Sequence, residues 1–239
     1  MNSGRSDNAR LYALELLTLV LDKGLNLTDA GSATKRKAEP ADNRDRAFSR
    51  HLAYGVLRWL TALEWISTQL LKRPLKPRDR DLQRLILLGL LQLWQDGSSA
   101  HAAINETAEC ARLLGKPWAV AMINAVLRRF QREQDEWLAR LAGRDERYAH
   151  PRWLLEALQR DWPDDWEAVV AANNQAAPLW LRLRRDRDTS QVVAQFEELG
   201  FAVDGHPLAP DALQIRPAVA VDALPGFRDG LLSVQDPAA

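Results

Sequence analysis

The chain has 239 residues, 46% of them hydrophobic and 27% charged, with 12 Gly and 12 Pro. These proportions exclude a collagen-like or wholly disordered polypeptide and supply a sizeable core, in one large or two modest domains. The single cysteine, Cys110, excludes an intrachain disulfide and a thiol-rich metal site, and fits a reducing cytoplasm.

Charged residues such as Asp22, Lys23, Arg58, Glu64 and Arg84 interrupt every greasy region. No run therefore reaches the roughly 18 apolar residues of a membrane-spanning helix. The segment Met1-Asn-Ser-Gly-Arg-Ser-Asp-Asn lacks the basic-then-apolar layout of a secretion signal. The formal net charge of zero hides an asymmetry. Residues 1–142 carry 22 Lys and Arg against 16 Asp and Glu, a net of +6, and residues 143–239 carry 10 against 16, a net of −6. A basic half joined to an acidic half reads as two modules with different partners, the basic one facing phosphate.

Residues 9–23 read as an amphipathic helix through Leu11, Leu14, Leu17 and Leu21, with Ser6 or Asp7 as its cap and Gly24 after its end. Residues 28–43 lack apolar periodicity and read as a mobile loop. The spacing of Phe48, Leu52, Val56, Leu60, Leu63 and Leu70 predicts one long helix over 44–71. Gly55 inside it costs about 1 kcal/mol of helix propensity unless a neighbouring helix needs the space. Pro74 and Pro77 end that pattern. Further helices are predicted over 78–95, 100–114 and 117–140, which makes residues 1–142 an all-α bundle.

Past Gly143 the texture changes. Short helices follow His150-Pro-Arg-Trp and Trp162-Pro-Asp-Asp-Trp, with Trp153, Trp162 and Trp166 expected to hold this part together. Strand candidates begin at Leu179, Phe201, Leu213 and Leu231, with a helix over 189–199. The whole is mainly α, a helical bundle followed by a small α/β module over 143–230.

Searches for chemistry return little. Gly-x-Gly-x-x-Gly, a phosphate-binding loop and His-Glu-x-x-His are all absent. His51, His101, His150 and His206 are too scattered for a metal site, and Cys110 reads as a small buried side chain rather than an activated thiol. Pairs such as Asp164-Asp165 read as solvated faces. The basic residues fall in three groups: Arg44, Arg46, Arg50 and Arg58; Lys72, Arg73, Lys76, Arg78, Arg80 and Arg84 around the Pro74–Pro77 elbow; and Arg128, Arg129 and Arg132. Such clusters can trace a nucleic-acid backbone. Alternatively, Asp42, Asp45, Asp79 and Asp81 neutralise several of them. Tryptophans with apolar neighbours are expected to pack rather than stack on bases.

Several motifs, in order, resemble the NusB family: Asp45-Arg-Ala-Phe, Tyr54-Gly-Val-Leu-Arg, Leu85-Ile-Leu-Leu-Gly, His101-Ala-Ala-Ile-Asn-Glu and Ile123-Asn-Ala-Val-Leu-Arg-Arg. His150-Pro-Arg-Trp-Leu, Ala172-Asn-Asn-Gln-Ala-Ala-Pro-Leu-Trp-Leu-Arg-Leu and Leu224-Pro-Gly-Phe-Arg-Asp-Gly-Leu-Leu-Ser-Val-Gln-Asp resemble the segment that follows in the Sun/Fmu family of ribosomal RNA cytosine 5-methyltransferases. That resemblance implies a NusB-like RNA-binding domain over 1–142, the linker module, and the start of a truncated methyltransferase domain at 231–239. It implies small-subunit (16S) ribosomal RNA as partner, together with the chain's own C-terminal methyltransferase domain. S-adenosylmethionine is the cofactor of the full-length enzyme, and none is expected in this chain.

Family members use a Gly-rich loop and two catalytic cysteines, one thiolate adding to cytosine and the other assisting release. Cys110 matches neither, so no catalytic, cofactor-binding or metal residue is assigned here. The candidates for RNA contact are Arg44, Arg46, Arg50, Arg128 and Arg129. Asn105, Glu106 and Asn124 carry the resemblance but are expected to satisfy helix ends and buried polar groups. A free-standing antitermination adaptor without chemistry is the alternative, and a scaffold with merely solubilising arginines a third.

Overall fold

The computed structural model describes residues 3–34, 40, 42–95, 99–185, 188–219 and 221–237. They form two compact units, Met1–Asn174 and Gln175–Ala239.

In the first unit α1 (Ser3–Lys23) begins ahead of Ser6 and Asp7, which lie within it, and stops at Gly24, whose φ is +67°. Part of the segment expected to be a loop is helical. α2 (Leu27–Ala33) is capped by Asn26, which accepts from the Asp29 amide at 2.9 Å and donates to the Asp29 carboxylate at 2.7 Å. Its signal was capping chemistry and the buried Ala30, not periodicity. The rest of that expected loop, 35–39 and 41, lies outside the described residues.

The predicted helix over 44–71 is two helices, α3 (Asn43–Arg58) and α4 (Leu60–Leu70). They part at Trp59, where φ is −103° and ψ 20°. The Trp59 ring packs at 5.1 Å on Trp94, at the end of α5 (Arg80–Trp94). The predicted helix over 117–140 is likewise divided. A single 3-10 turn precedes α7 (Val120–Arg132), and a break at Glu133 separates α7 from α8 (Gln134–Ala142). Glu133 accepts there from Arg129 at 3.0 Å and from the Trp137 indole at 3.3 Å. α6 (Ala100–Leu113) follows its expected limits.

α5 is the centre of the bundle. Leu82, Leu85, Ile86, Leu87, Leu88, Leu90 and Leu91 are all buried, and α1, α3, α4, α6 and α7 pack around them. Two glycines permit this approach. A Cβ on Gly55 would come 2.6 Å from a Leu91 methyl, and one on Gly89 would come 2.5 Å from a Leu127 methyl. The neighbouring helix does need the space at Gly55. Two arginines are buried with partners: Arg10 donates to Glu106 and to Gln92, both at 2.6 Å, while Arg84 pairs with Asp22 and donates to Thr18 at 3.2 Å.

The compact division falls after Asn174, well beyond the 142–143 boundary that composition marks. Residues 143–174 stay with the bundle through the turn at Asp145–Tyr148. Thr61 of α4 donates to the Glu146 carbonyl at 3.4 Å, and Asn174 in turn ties the end of the segment to that turn by donating to the Tyr148 carbonyl at 2.8 Å. α9 (Arg152–Asp161) and α10 (Trp166–Asn173) complete this unit. Trp166 packs at 4.8 Å on Tyr148, but Trp153 and Trp162 are 69% and 59% exposed. Of the three tryptophans expected to hold this part together, only Trp166 does so, because α9 turns Leu155 inward instead.

The second unit contains β1 (Leu179–Leu183), α11 (Thr189–Glu198), β2 (Ala202–His206), β3 (Ala209–Arg216) and β4 (Leu232–Val234). The strands form an antiparallel sheet in the order β2-β3-β1-β4, with β3 inserted between β1 and β2 as in a split βαβ unit. Leu181, Leu183, Leu213, Ile215 and Leu232 pack with Phe196 of α11 in its core. Alternate residues of the strands put Arg182, Asp204 and Gln214 on the other face. β4 (Leu232–Val234), in the segment expected to open a further domain, pairs antiparallel with β1 in this sheet.

The packing sets two expectations. Gly89→Ala gains about 1 kcal/mol of helix propensity but forces the buried Leu127 aside, at about 1–3 kcal/mol. Chemical denaturation is expected to show net destabilisation that reverses in a Leu127→Ala background. For Asp22, the hydrogen bond from Arg84 holds the carboxyl below its usual range. A depressed carboxylate stabilises above its unfolded pKa, and that contribution is lost as pH falls through the folded value. Asp22→Asn should therefore cost about 1–3 kcal/mol at neutral pH, and urea titrations should show the gap closing below about pH 4.

Candidate nucleic-acid interface

The bundle's cations fall into two classes, those with an acidic partner and those without. On α3, Arg44 and Arg50 are exposed and carry no ion pair among the described residues, whereas Arg46 donates to Asn43 and to the Pro40 carbonyl. Arg44 and Arg46 sit about 200° apart around the helix, so the three do not share one face. Arg128 on α7 is exposed, likewise without an ion pair among the described residues. Its neighbour Arg129 is half-buried, bound to Glu133 and stacked at 5.2 Å on the Trp137 ring.

The elbow between α4 and α5 divides its six cations by direction. Arg80 and Arg84 turn towards Asp22. Lys72, Arg73 and Lys76 are exposed and have no ion pair among the described residues, and Arg78 reaches Asp79 only at 3.8 Å. Of the four carboxylates expected to neutralise the arginines, Asp42, Asp79 and Asp81 make their shorter bonds elsewhere. Asp42 caps α3 by accepting from the Arg44 amide at 2.8 Å. Asp79 and Asp81 bind the Lys116 ammonium at 2.9 and 2.7 Å, and Lys116 also donates to the Arg78 carbonyl at 3.2 Å. Burial opposes the charge on Lys116, but its bonds to Asp81 and Asp79 outweigh that and hold its pKa above the ordinary value. This ion triad clasps the elbow to the turn ahead of α7.

Between the clasped elbow and α7 lies a groove of about 770 Å³. Leu70, Leu75, Met122 and Val126 line it together with Trp118 and with Lys72, Arg73 and Lys76 of the elbow. Trp118 is 58% exposed, contrary to the expectation that the tryptophans pack. Its neighbours Pro117 and Ala119 occupy the single turn before α7, which presents the ring outward. Of the five arginines named from sequence, only Arg129 lines the groove. The cations that line it were legible as a basic elbow, but nothing local placed Trp118 in the same groove.

Other motif residues are structural. Glu106 receives Arg10, Asn105 binds His101, and Cys110 is buried with its thiol 3.3 Å from the Glu106 carbonyl. Asn124 is the exception, its Oδ1 being buried without a hydrogen-bond partner among the described residues. Among the described residues no helix is long and apolar enough to cross a membrane.

The NusB family model matches residues 7–132, more than half of the chain and nearly all of the bundle that builds the groove. The chain belongs to the NusB family. A second model, the Methyltr_RsmF/B-like ferredoxin-like domain, matches residues 150–222, which include β1 to β3. Relatives named ribosomal RNA small subunit methyltransferase B bear out the resemblance to the Sun/Fmu proteins. That of Klebsiella pneumoniae is 39% identical over 233 residues, or 97% of this chain and 53% of the relative. That of Pseudomonas putida is 43% identical over 235 residues, again 97% and 53%. The chain thus spans about half the length of the curated relatives it matches. The crystal structure of PH0851 shares the fold with a TM-score of 0.62 at 16% identity, covering 96% of this chain and 53% of that one.

Lys116→Ala removes the cation from between Asp79 and Asp81 and leaves two carboxylates facing each other. Denaturant unfolding is expected to show a loss of about 1–3 kcal/mol at neutral pH. Because the folded pKa of Lys116 is raised, its contribution holds below the ordinary lysine value and fades only as pH rises through the folded one.

Proposed function

We propose that this chain is the RNA-recognising portion of an S-adenosylmethionine-dependent ribosomal RNA cytosine-C5 methyltransferase, working in the cytoplasm on small-subunit (16S) RNA. In this reading residues 1–142 dock on RNA through phosphate contacts. The ferredoxin-like module orients the domain that transfers the methyl group. The observation that carries it is a set of cations without acidic partners among the described residues, on a NusB-family bundle: Lys72, Arg73, Lys76, Arg128, Arg44 and Arg50. The named relatives supply the reaction class. A stand-alone adaptor gains no support from a chain that matches those relatives along 97% of its length.

S-adenosylmethionine supplies the methyl group in such chemistry, but the residues described here do not fit that cofactor. Among the described residues no Gly-rich loop follows a strand, and the one cysteine is buried in α6. Its own residues bind and orient, and no step of methyl transfer is assigned to them.

Phosphate contacts carry affinity and displace counterions, so binding must weaken as salt rises. Filter binding of this chain to small-subunit ribosomal RNA fragments is expected to show that decline. Arg128→Glu/Arg129→Glu/Arg132→Glu should lower the affinity and make the salt dependence shallower, by about one unit of slope for each phosphate no longer bound. Salt-independent binding, or none, refutes the reading. Unchanged affinity in the triple variant makes these arginines solubilising groups only.

A further inference from the structure

The groove beside the elbow is more than a share of a basic surface. It combines an apolar floor, an exposed indole and cations free of acidic partners among the described residues, all within one concavity. The mechanical parts that hold it are already in place. Pro74 and Pro77 fix two φ angles of the elbow, and the Lys116 triad pins its end. We propose that this groove takes an unstacked nucleobase of single-stranded RNA against Trp118, with the adjoining phosphates on Lys72, Arg73 and Lys76. This rests on the RNA-binding reading above and adds to it the form of RNA bound and the residue that grips it.

The chemistry follows from what each wall offers. A base presents an apolar face to Leu75, Met122 and Val126 and a π-face to the Trp118 ring, and stacking of this kind tolerates any base. The volume of about 770 Å³ lies within the range of small-molecule sites, large enough for a nucleotide. The cationic side chains of the elbow lip offer only donors, since lysine and arginine side chains have no acceptor. The one carboxylate among the residues that line the groove, Asp79, is held by Lys116. A phosphate backbone, rich in acceptors and negative charge, complements such a lip, whereas a peptide backbone brings as many donors as acceptors. A duplex keeps its bases stacked inside and can use the cations but not the indole.

The test uses the 239-residue chain and fluorescence anisotropy with two labelled probes, an oligoadenylate of about 12 nucleotides and an RNA duplex of the same length. Trp118→Ala is expected to weaken single-strand binding by about 5- to 100-fold. Trp118→Phe should recover most of the loss, and duplex affinity should stay level. Lys72→Glu/Lys76→Glu should weaken both probes. Trp118 is exposed, and a circular-dichroism melt of each variant confirms that its fold is retained. Single-strand affinity unchanged in Trp118→Ala overturns the proposal and leaves the RNA reading standing. Failure of the unsubstituted chain to bind either probe at low salt overturns both. A Leu/Glu-rich peptide that binds the unsubstituted chain but not Trp118→Ala, without displacing the oligoadenylate, assigns the groove to a protein segment and overturns it too.

Discussion

The burial of α5 on nearly every side is the constraint around which the first unit is arranged. A helix that is apolar all round has to be wrapped by others, and five neighbours close on it. Close approach demands that something be small at the crossings, which is why Gly55 and Gly89 sit where Leu91 and Leu127 arrive. Interiors packed this densely leave little room for a displaced methyl. The positions of α4 and α7 against α5, and with them the groove between the elbow and α7, follow from that wrapping.

Electrostatics then decides which cations remain available. Burying an arginine is tolerable only with a partner, and Arg10 and Arg84 each have one. Asp79 and Asp81 are occupied by Lys116, and Asp42 by a helix cap. These carboxylates are therefore committed to structure, and Lys72, Arg73 and Lys76 have no counter-charge among the described residues. A bundle with a modest net charge in sequence thus presents a concentrated donor surface at one place. Field strength at a surface depends on such local imbalance more than on the total.

The second unit follows the same logic of one covered face. Its sheet places Leu181, Leu183, Leu213 and Ile215 beneath α11, and its other face carries Arg182, Asp204 and Gln214. The order β2-β3-β1-β4 accounts for the match to a ferredoxin-like family model, and the match begins at residue 150, ahead of the compact division at Asn174. Family likeness and physical compactness therefore divide the chain at different points. Residues 150–174 go with the second module by family likeness and with the first unit by compactness.

Periodicity alone determined most of the elements, because a buried stripe must recur at the period of its helix or strand whatever it packs against. The helices through Leu11, Leu52, Leu85 and Ile123 and the strands at Leu179 and Leu213 were legible on that ground, as was the space reserved by Gly55. Periodicity could not show the breaks at Trp59 and Glu133. There the apolar pattern continues while the backbone turns to place Trp59 on Trp94 and to bring Glu133 to Arg129 and Trp137. Nor could it find α2, whose signal was a cap. For the candidate site, the sequence alone determined which residues carry charge. Only the tertiary structure decided which charges are cancelled and that Trp118 shares one groove with Lys72, because ion pairing and concavity depend on distances between segments far apart in the chain.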